Sequence, residues 1–170
     1  FNVTFGKPTH KNKGTTGGTM ILTKPSLHIE ASKHQANAFV TATVAKTKAG
    51  LLHVISVYVP SDAYRQRQAL SDLEAYIKRI HPPFVIMGDF NMSKEQFIAL
   101  RAPFMAYSSL IEPPHCTCMV PPYRTIDMCI VHSSLVDKIK SVDVINMGTD
   151  PHFGGVIRLD IRTLHHWVYT

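Results

Sequence analysis

The chain reads as an α/β protein, a layered sandwich with sheets inside and helices outside. Three observations predict it. Apolar runs of strand length outnumber helical stretches, one long amphipathic helix separates two of those runs, and Gly and Pro mark turns with no repeat or linker between them.

Taken in order, Thr19–Thr23, Leu27–Ala31 and Ala38–Ala45 read as strands, the last two joined by a polar stretch. Residues 51–59, LeuLeuHisValIleSerValTyrVal, are apolar at nearly every position, which predicts a strand buried on both faces and ended by Pro60. A helix is expected from about Asp62 to Ile80, capped by Ser61, with Leu70, Leu73, Ile77 and Ile80 at helical spacing. After two prolines, Phe84–Met87 is a short central strand that delivers GlyAspPheAsn to its end. Ser93 and Gln96 form a capping box that opens a short helix to about Leu100. Residues 102–125 are loop-rich, with Pro103, Pro113, Pro114, Pro121 and Pro122. Ile126–Val131 is strand-like and Ser133–Lys140 a short helix. Val142–Met147 and Val156–Ile161 are the closing strands.

A chain of 170 residues is long enough for one domain with a real core, and 45% apolar residues argue against disorder. No apolar run approaches the roughly 20 residues that cross a bilayer. The opening, from Phe1 to Gly14, is too polar for a secretory signal, so a cleaved or trimmed start is expected. The net charge of +6 is uneven: residues 1–50 hold seven lysines and one acid, Glu30, whereas the rest balance. A basic N-terminal third attracts a polyanion through counterion release, although a solvated basic surface has the same pattern. Three cysteines make no disulfide framework, which points to a reducing, intracellular compartment. HisCysThrCys at 115–118 lacks the second ligand pair that a zinc site needs, since Cys129 lies in an apolar run.

Four segments occur in a fixed order: GlyGlyThrMetIleLeu (17–22), ValTyrValProSer (57–61), GlyAspPheAsn (88–91), and ArgThrIleAsp with ValHisSerSerLeu (124–135). ProHisPheGlyGlyVal (151–156) closes the series. Phosphodiester hydrolysis needs a carboxylate to orient or deprotonate water and an amide to hold it or the phosphate, and Asp89 and Asn91 have that chemistry. Alone, such a tetrapeptide is more often a turn held by Asx hydrogen bonds. In this company it resembles the endonuclease/exonuclease/phosphatase superfamily, and within it the endonuclease domains of non-LTR retrotransposons. The resemblance implies a four-layer α/β sandwich, two packed β-sheets flanked by helices, over residues 15–162. Residues 1–14 would be a basic polar lead-in that adds no strand, and residues 163–170 a tail.

The same resemblance implies roles. Tyr58 would contact the phosphate through its hydroxyl, Asp127 would orient the catalytic histidine, and His152 would be that histidine, with Asp89 and Asn91 positioning water or phosphate. A strand tyrosine is otherwise simple packing, and a lone His152 a loop histidine. The family's first two strands carry an asparagine and a glutamate that place a magnesium ion, and both lie upstream of the GlyGly segment. Only some 16 residues precede that segment here, so the domain is expected to be incomplete at its N-terminus, with a sheet left open for a further segment or a protein partner to cover. Glu30 follows the segment and cannot replace the missing ligand. Asp89 and Asp150 remain as metal candidates, with Pro151 where the family has an aspartate beside its histidine. Three functions stay open: a magnesium-dependent endonuclease, a phosphatase of small phosphoesters or phosphoinositides, and a decayed domain serving a larger assembly. The chain alone is expected to have little or no magnesium-dependent nuclease activity.

Overall fold

The computed structural model describes the chain except residues 8, 12–13, 17, 30–34, 48–49, 81–82, 147–151 and 161–170. Its centre is a seven-stranded sheet. Along it run β10 (Ser108–Ile111), β11 (Asp127–His132), β9 (Phe84–Asp89), β8 (Gly50–Tyr58), β7 (Val40–Thr47) and β5 (His28–Ile29), with β6 (Gln35–Ala36) also paired to β7. The β8–β9 pair is parallel and the others are antiparallel, so β8 needs a crossover before β9. Helix α1 (Ala63–Ile77) supplies it.

The near-continuous apolar character of β8 follows from its place, because both faces of the sheet are covered. On one side Ala69, Leu73, Tyr76 and Ile77 of α1 meet Val40, Ile55, Val57, Phe84 and Ile86, joined by Phe97 of α2 (Lys94–Ala99). On the other, Leu52, Val85, Cys129 and Val131 pack under Ile139, Ile157 and Leu159. Those residues belong to, or border, a ribbon of β12 (Ile139–Ile145) and β13 (Gly154–Leu159). A second ribbon on that side pairs β1 (Asn2–Gly6) with β4 (Thr19–Thr23), and the Thr19 hydroxyl bonds that of Thr41 at 2.6 Å. The second sheet is therefore represented by two ribbons, which are not hydrogen-bonded to each other among the described residues.

Several expectations need correction. Residues 1–14 are not a strandless lead-in: β1 joins the sandwich, and β2 (Thr9–Lys11) pairs with β3 (Gly14–Thr16) as a hairpin. The alternation of Val3 and Phe5 with Asn2 and Thr4 was the overlooked signal. The cap of α1 is Asp62, whose carboxylate accepts from the Arg65 N–H at 3.0 Å, and not Ser61; the helix ends at Ile77, short of Ile80. The loop-rich stretch contains a 3₁₀ turn, Pro103–Tyr107, and edge strand β10. Ser133–Lys138 is a 3₁₀ turn, and β12 begins at Ile139, earlier than Val142. The capping box at Ser93 and Gln96 is present as read. The ends of the strands expected to reach Ala31, Met147 and Ile161 lie outside the described residues.

Candidate active site

Strand registry assembles the site before any side chain is considered. Tyr58 at the end of β8 is level with Asp89 at the end of β9, and Asp89 is level with Asp127 at the start of β11. Three adjacent strands thus bring a tyrosine and two aspartates to one end of the sheet, where main-chain pairing gives way to open chain. Gly88 makes this registry possible, because a Cβ there would come within 1.8 Å of the Val57 carbonyl oxygen.

Asn91 follows in the left-handed region, φ 50°, which asparagine tolerates better than most residues. The turn folds its groups back on Asp89: its N–H donates to Oδ1 at 2.8 Å, and its amide donates to Oδ2 at 3.1 Å and to the Val59 carbonyl at 3.0 Å. Both oxygens of Asp89 are fixed in this way.

His152 reaches the site from outside the central sheet. Its Nδ1 lies 2.9 Å from Asp127 Oδ2, and both side chains are only partly exposed. A donating Nδ1–H fixes the tautomer and orientation of the imidazole. The loop before β11 sets this pair in place. Thr117, fully buried, accepts the N–H groups of Ile126 and Asp127 on its Oγ1 at 3.2 and 3.0 Å, while its carbonyl accepts the Phe153 N–H at 2.7 Å. Cys118 bridges to both Arg124 and His152. One short segment therefore grips the neighbours of Asp127 and of His152 together.

The site is crowded with negative charge. Burial first, and then the Asp127 carboxylate, push Asp89 up to about 6, against the lowering effects of the Asn91 N–H, His152 and Arg124. Burial and the Asp89 charge likewise raise Tyr58, which stays a neutral hydroxyl, with the Asn91 amide and Arg65 opposing. Ligand atoms of Asp89, Asp127 and His152 all lie within 4.8 Å of one another. A hard cation needs oxygen donors, and one or two carboxylates with water and phosphate suffice for magnesium. Asp89 fits that demand, since its raised pKa marks a charge that a cation would stabilise, and Asp127 stands behind it while holding His152.

Tyr58, Asp89, Asn91, Asp127 and His152 are thus all brought together, whereas Asp150 and Pro151 lie outside the described residues. Thr117 and Arg65 were not singled out from the sequence, and Arg124 was quoted only as the first residue of ArgThrIleAsp. Thr117 sits inside HisCysThrCys, where the cysteines drew attention, yet Cys116, Cys118 and Cys129 are free thiols and only the two latter are buried.

No protein-family model and no curated sequence matches the chain. Solved structures do. The endonuclease domain of TRAS1, a telomere-specific non-LTR retrotransposon, superposes with a TM-score of 0.75 at 13% identity, over 96% of this chain and 81% of that one. The 3'-5' exonuclease NExo from Neisseria meningitidis gives 0.61 at 14% identity, over 93% and 80%. An endonuclease/exonuclease/phosphatase family protein from Leptotrichia buccalis C-1013-b gives 0.59 at 11% identity, over 94% and 71%. The chain has the endonuclease/exonuclease/phosphatase fold. Within that fold it is similar to the retrotransposon endonuclease domain.

Proposed function

We propose that this chain is a metal-assisted phosphodiester hydrolase that cleaves nucleic acid. The observation that carries the reading is the Asp127–His152 pair set within 4.8 Å of the Asp89 carboxylate, with Tyr58 level with it on the next strand. Nuclease neighbours of the same fold support it, and the lysine-rich N-terminal third suits a polyanion.

In this reading Asp89, held by Asn91, orients the attacking water and takes its proton. The Tyr58 hydroxyl donates to a non-bridging phosphate oxygen. His152, fixed through Nδ1 by Asp127, presents Nε2 to the phosphate, where it hydrogen-bonds the developing charge and passes a proton to the leaving oxygen. A divalent cation held through Asp89 would add charge neutralisation and a lower pKa for bound water. Magnesium is the ion of choice for an oxygen-only donor set. With two carboxylates at the site among the described residues, weak magnesium binding and slow turnover are the expected outcome.

Among the described residues no helix is long and apolar enough to cross a membrane. Three free thiols suit a reducing compartment. A covering segment or partner protein would sit on the β1–β4 ribbon, whose outer face presents Val3, Phe5, Met20 and Leu22 more than half exposed.

Substrate class is tested by offering supercoiled DNA, single-stranded DNA, RNA and a phosphomonoester in magnesium. Cleavage of polymer chains with the monoester untouched is expected. Release of phosphate from the monoester alone would replace this reading with a phosphatase.

A further inference from the structure

A concavity opens near Tyr58, and we propose that it receives the base of a nucleotide flanking the scissile phosphate. This rests on the phosphodiesterase reading of the adjacent site. The pocket has a volume of about 380 Å3 and is lined by Asn37 and Phe39, which lead into β7, and by Tyr64, Arg65, Gln68 and Asp72 of α1. Positions 64 and 68, and 65, 68 and 72, are spaced three or four apart, so α1 turns one polar face into the pocket.

The two sites share a wall. The Phe39 carbonyl accepts the Tyr58 N–H at 2.9 Å, and the Arg65 guanidinium is close enough to act on the Tyr58 hydroxyl. A chain whose phosphate sits at Tyr58 therefore passes Arg65 as it enters the pocket. Inside, the polar groups are already fixed. The Asn37 side-chain oxygen accepts from the Phe39 and Val40 N–H groups at 2.8 and 2.7 Å, and its amide donates to Asp72 at 3.0 Å. Tyr64 stands at the rim, 74% exposed, where its ring contributes little to the core and is free to stack.

The distribution of charge says which part of a nucleotide belongs where. Asp72 repels a phosphate and accepts from N–H groups, whereas Arg65, 3.8 Å from Asp62, acts on Tyr58 and so brings its positive charge toward the phosphate side. A ring with an exocyclic amine, as in adenine, cytosine or guanine, complements Asp72; thymine and uracil carry none. The base must be unstacked to enter, so single-stranded or frayed substrate is favoured.

The test uses the full chain with fluorescein-labelled short single strands. Affinity is read by anisotropy in EDTA, and cleavage is read separately in magnesium. Tyr64→Ala is expected to weaken binding about tenfold, with Tyr64→Phe close to wild type. Replacing one base at a time by an abasic site should cost wild type about tenfold at one position, with no further cost in Tyr64→Ala. Asp72→Asn should erase the preference for amine-bearing bases. Unchanged affinity in Tyr64→Ala, or a wild type indifferent to base removal at every position, would overturn the pocket while leaving the hydrolase reading intact. Binding that follows these expectations without cleavage would do the reverse, and a wild type that binds no strand would remove both.

Discussion

Thr117 does with one hydroxyl oxygen what a loop of its composition could not do unaided. It satisfies the backbone N–H groups of Ile126 and of Asp127 itself, and its carbonyl ties the residue after His152. Thr117→Val keeps the shape and removes the acceptor, leaving two donors unpaired, at a cost of roughly 2–4 kcal/mol. Denaturant unfolding should show that loss, and Thr117→Ser should recover most of it. Asp89 carries a different signature. Its pKa is raised from 3.8 to about 6 in the folded chain, so the folded state holds the proton more tightly than the unfolded one. The stability it contributes is full below the unfolded value and is lost as pH rises through the folded one, by about 3 kcal/mol in all. Metal-free wild type should therefore lose stability between pH 4 and 6 relative to Asp89→Asn, and magnesium should restore part of it at neutral pH. Equal pH profiles for the two proteins would remove the charge argument. That Asp89, Asn91, Asp127, His152 and Tyr58 lie together was legible in the sequence because ordered short motifs carry them. Thr117 was not, since it acts through main-chain groups and leaves no spacing pattern.

At the level of elements, β8 and β9 are where sequence and structure agree most closely, because a strand buried on both faces must be apolar throughout and both ends of that run carry turn residues. The close approach at Gly88 explains the glycine of GlyAspPheAsn. Gly88→Ala should cost more than about 3 kcal/mol and lower activity by shifting Asp89 against Tyr58; an alanine variant of wild-type stability would show that the strands can part. Other elements were less legible for stated reasons. Strand β10 is four residues long on a sheet edge, too short to display a period, and β1 is masked by its lysine-rich surroundings. The cap moved from Ser61 to Asp62 because either side chain can accept an N–H, and only the backbone path decides which does. On β1 and β4 the facing pairs Val3–Leu22 and Phe5–Met20 lie outward. Phe5→Thr with Met20→Thr keeps strand propensity, so the melting temperature should hardly move while light scattering at high protein concentration falls. A large loss of stability would mean that this face is already packed within the chain.

For the molecule as a whole, three adjacent strand ends, a left-handed asparagine turn and one gripping loop gather the residues of the proposed site on a fold shared with nucleases. The fold could be recognised from the order of its motifs, yet whether the site works depends on how a cation is held, which no motif states. The isolated chain was expected to have little or no magnesium-dependent nuclease activity because the family's asparagine and glutamate are missing, and the Asp89–Asp127–His152 cluster supports slow turnover as the proposal to test. Nicking of supercoiled plasmid by the purified chain, with and without magnesium and beside Asp89→Ala and His152→Ala, tests this most directly. The account predicts slow nicking that requires magnesium and falls at least about 10²-fold in either variant. Nicking that survives both substitutions, or none at any magnesium concentration in a folded chain, would contradict it.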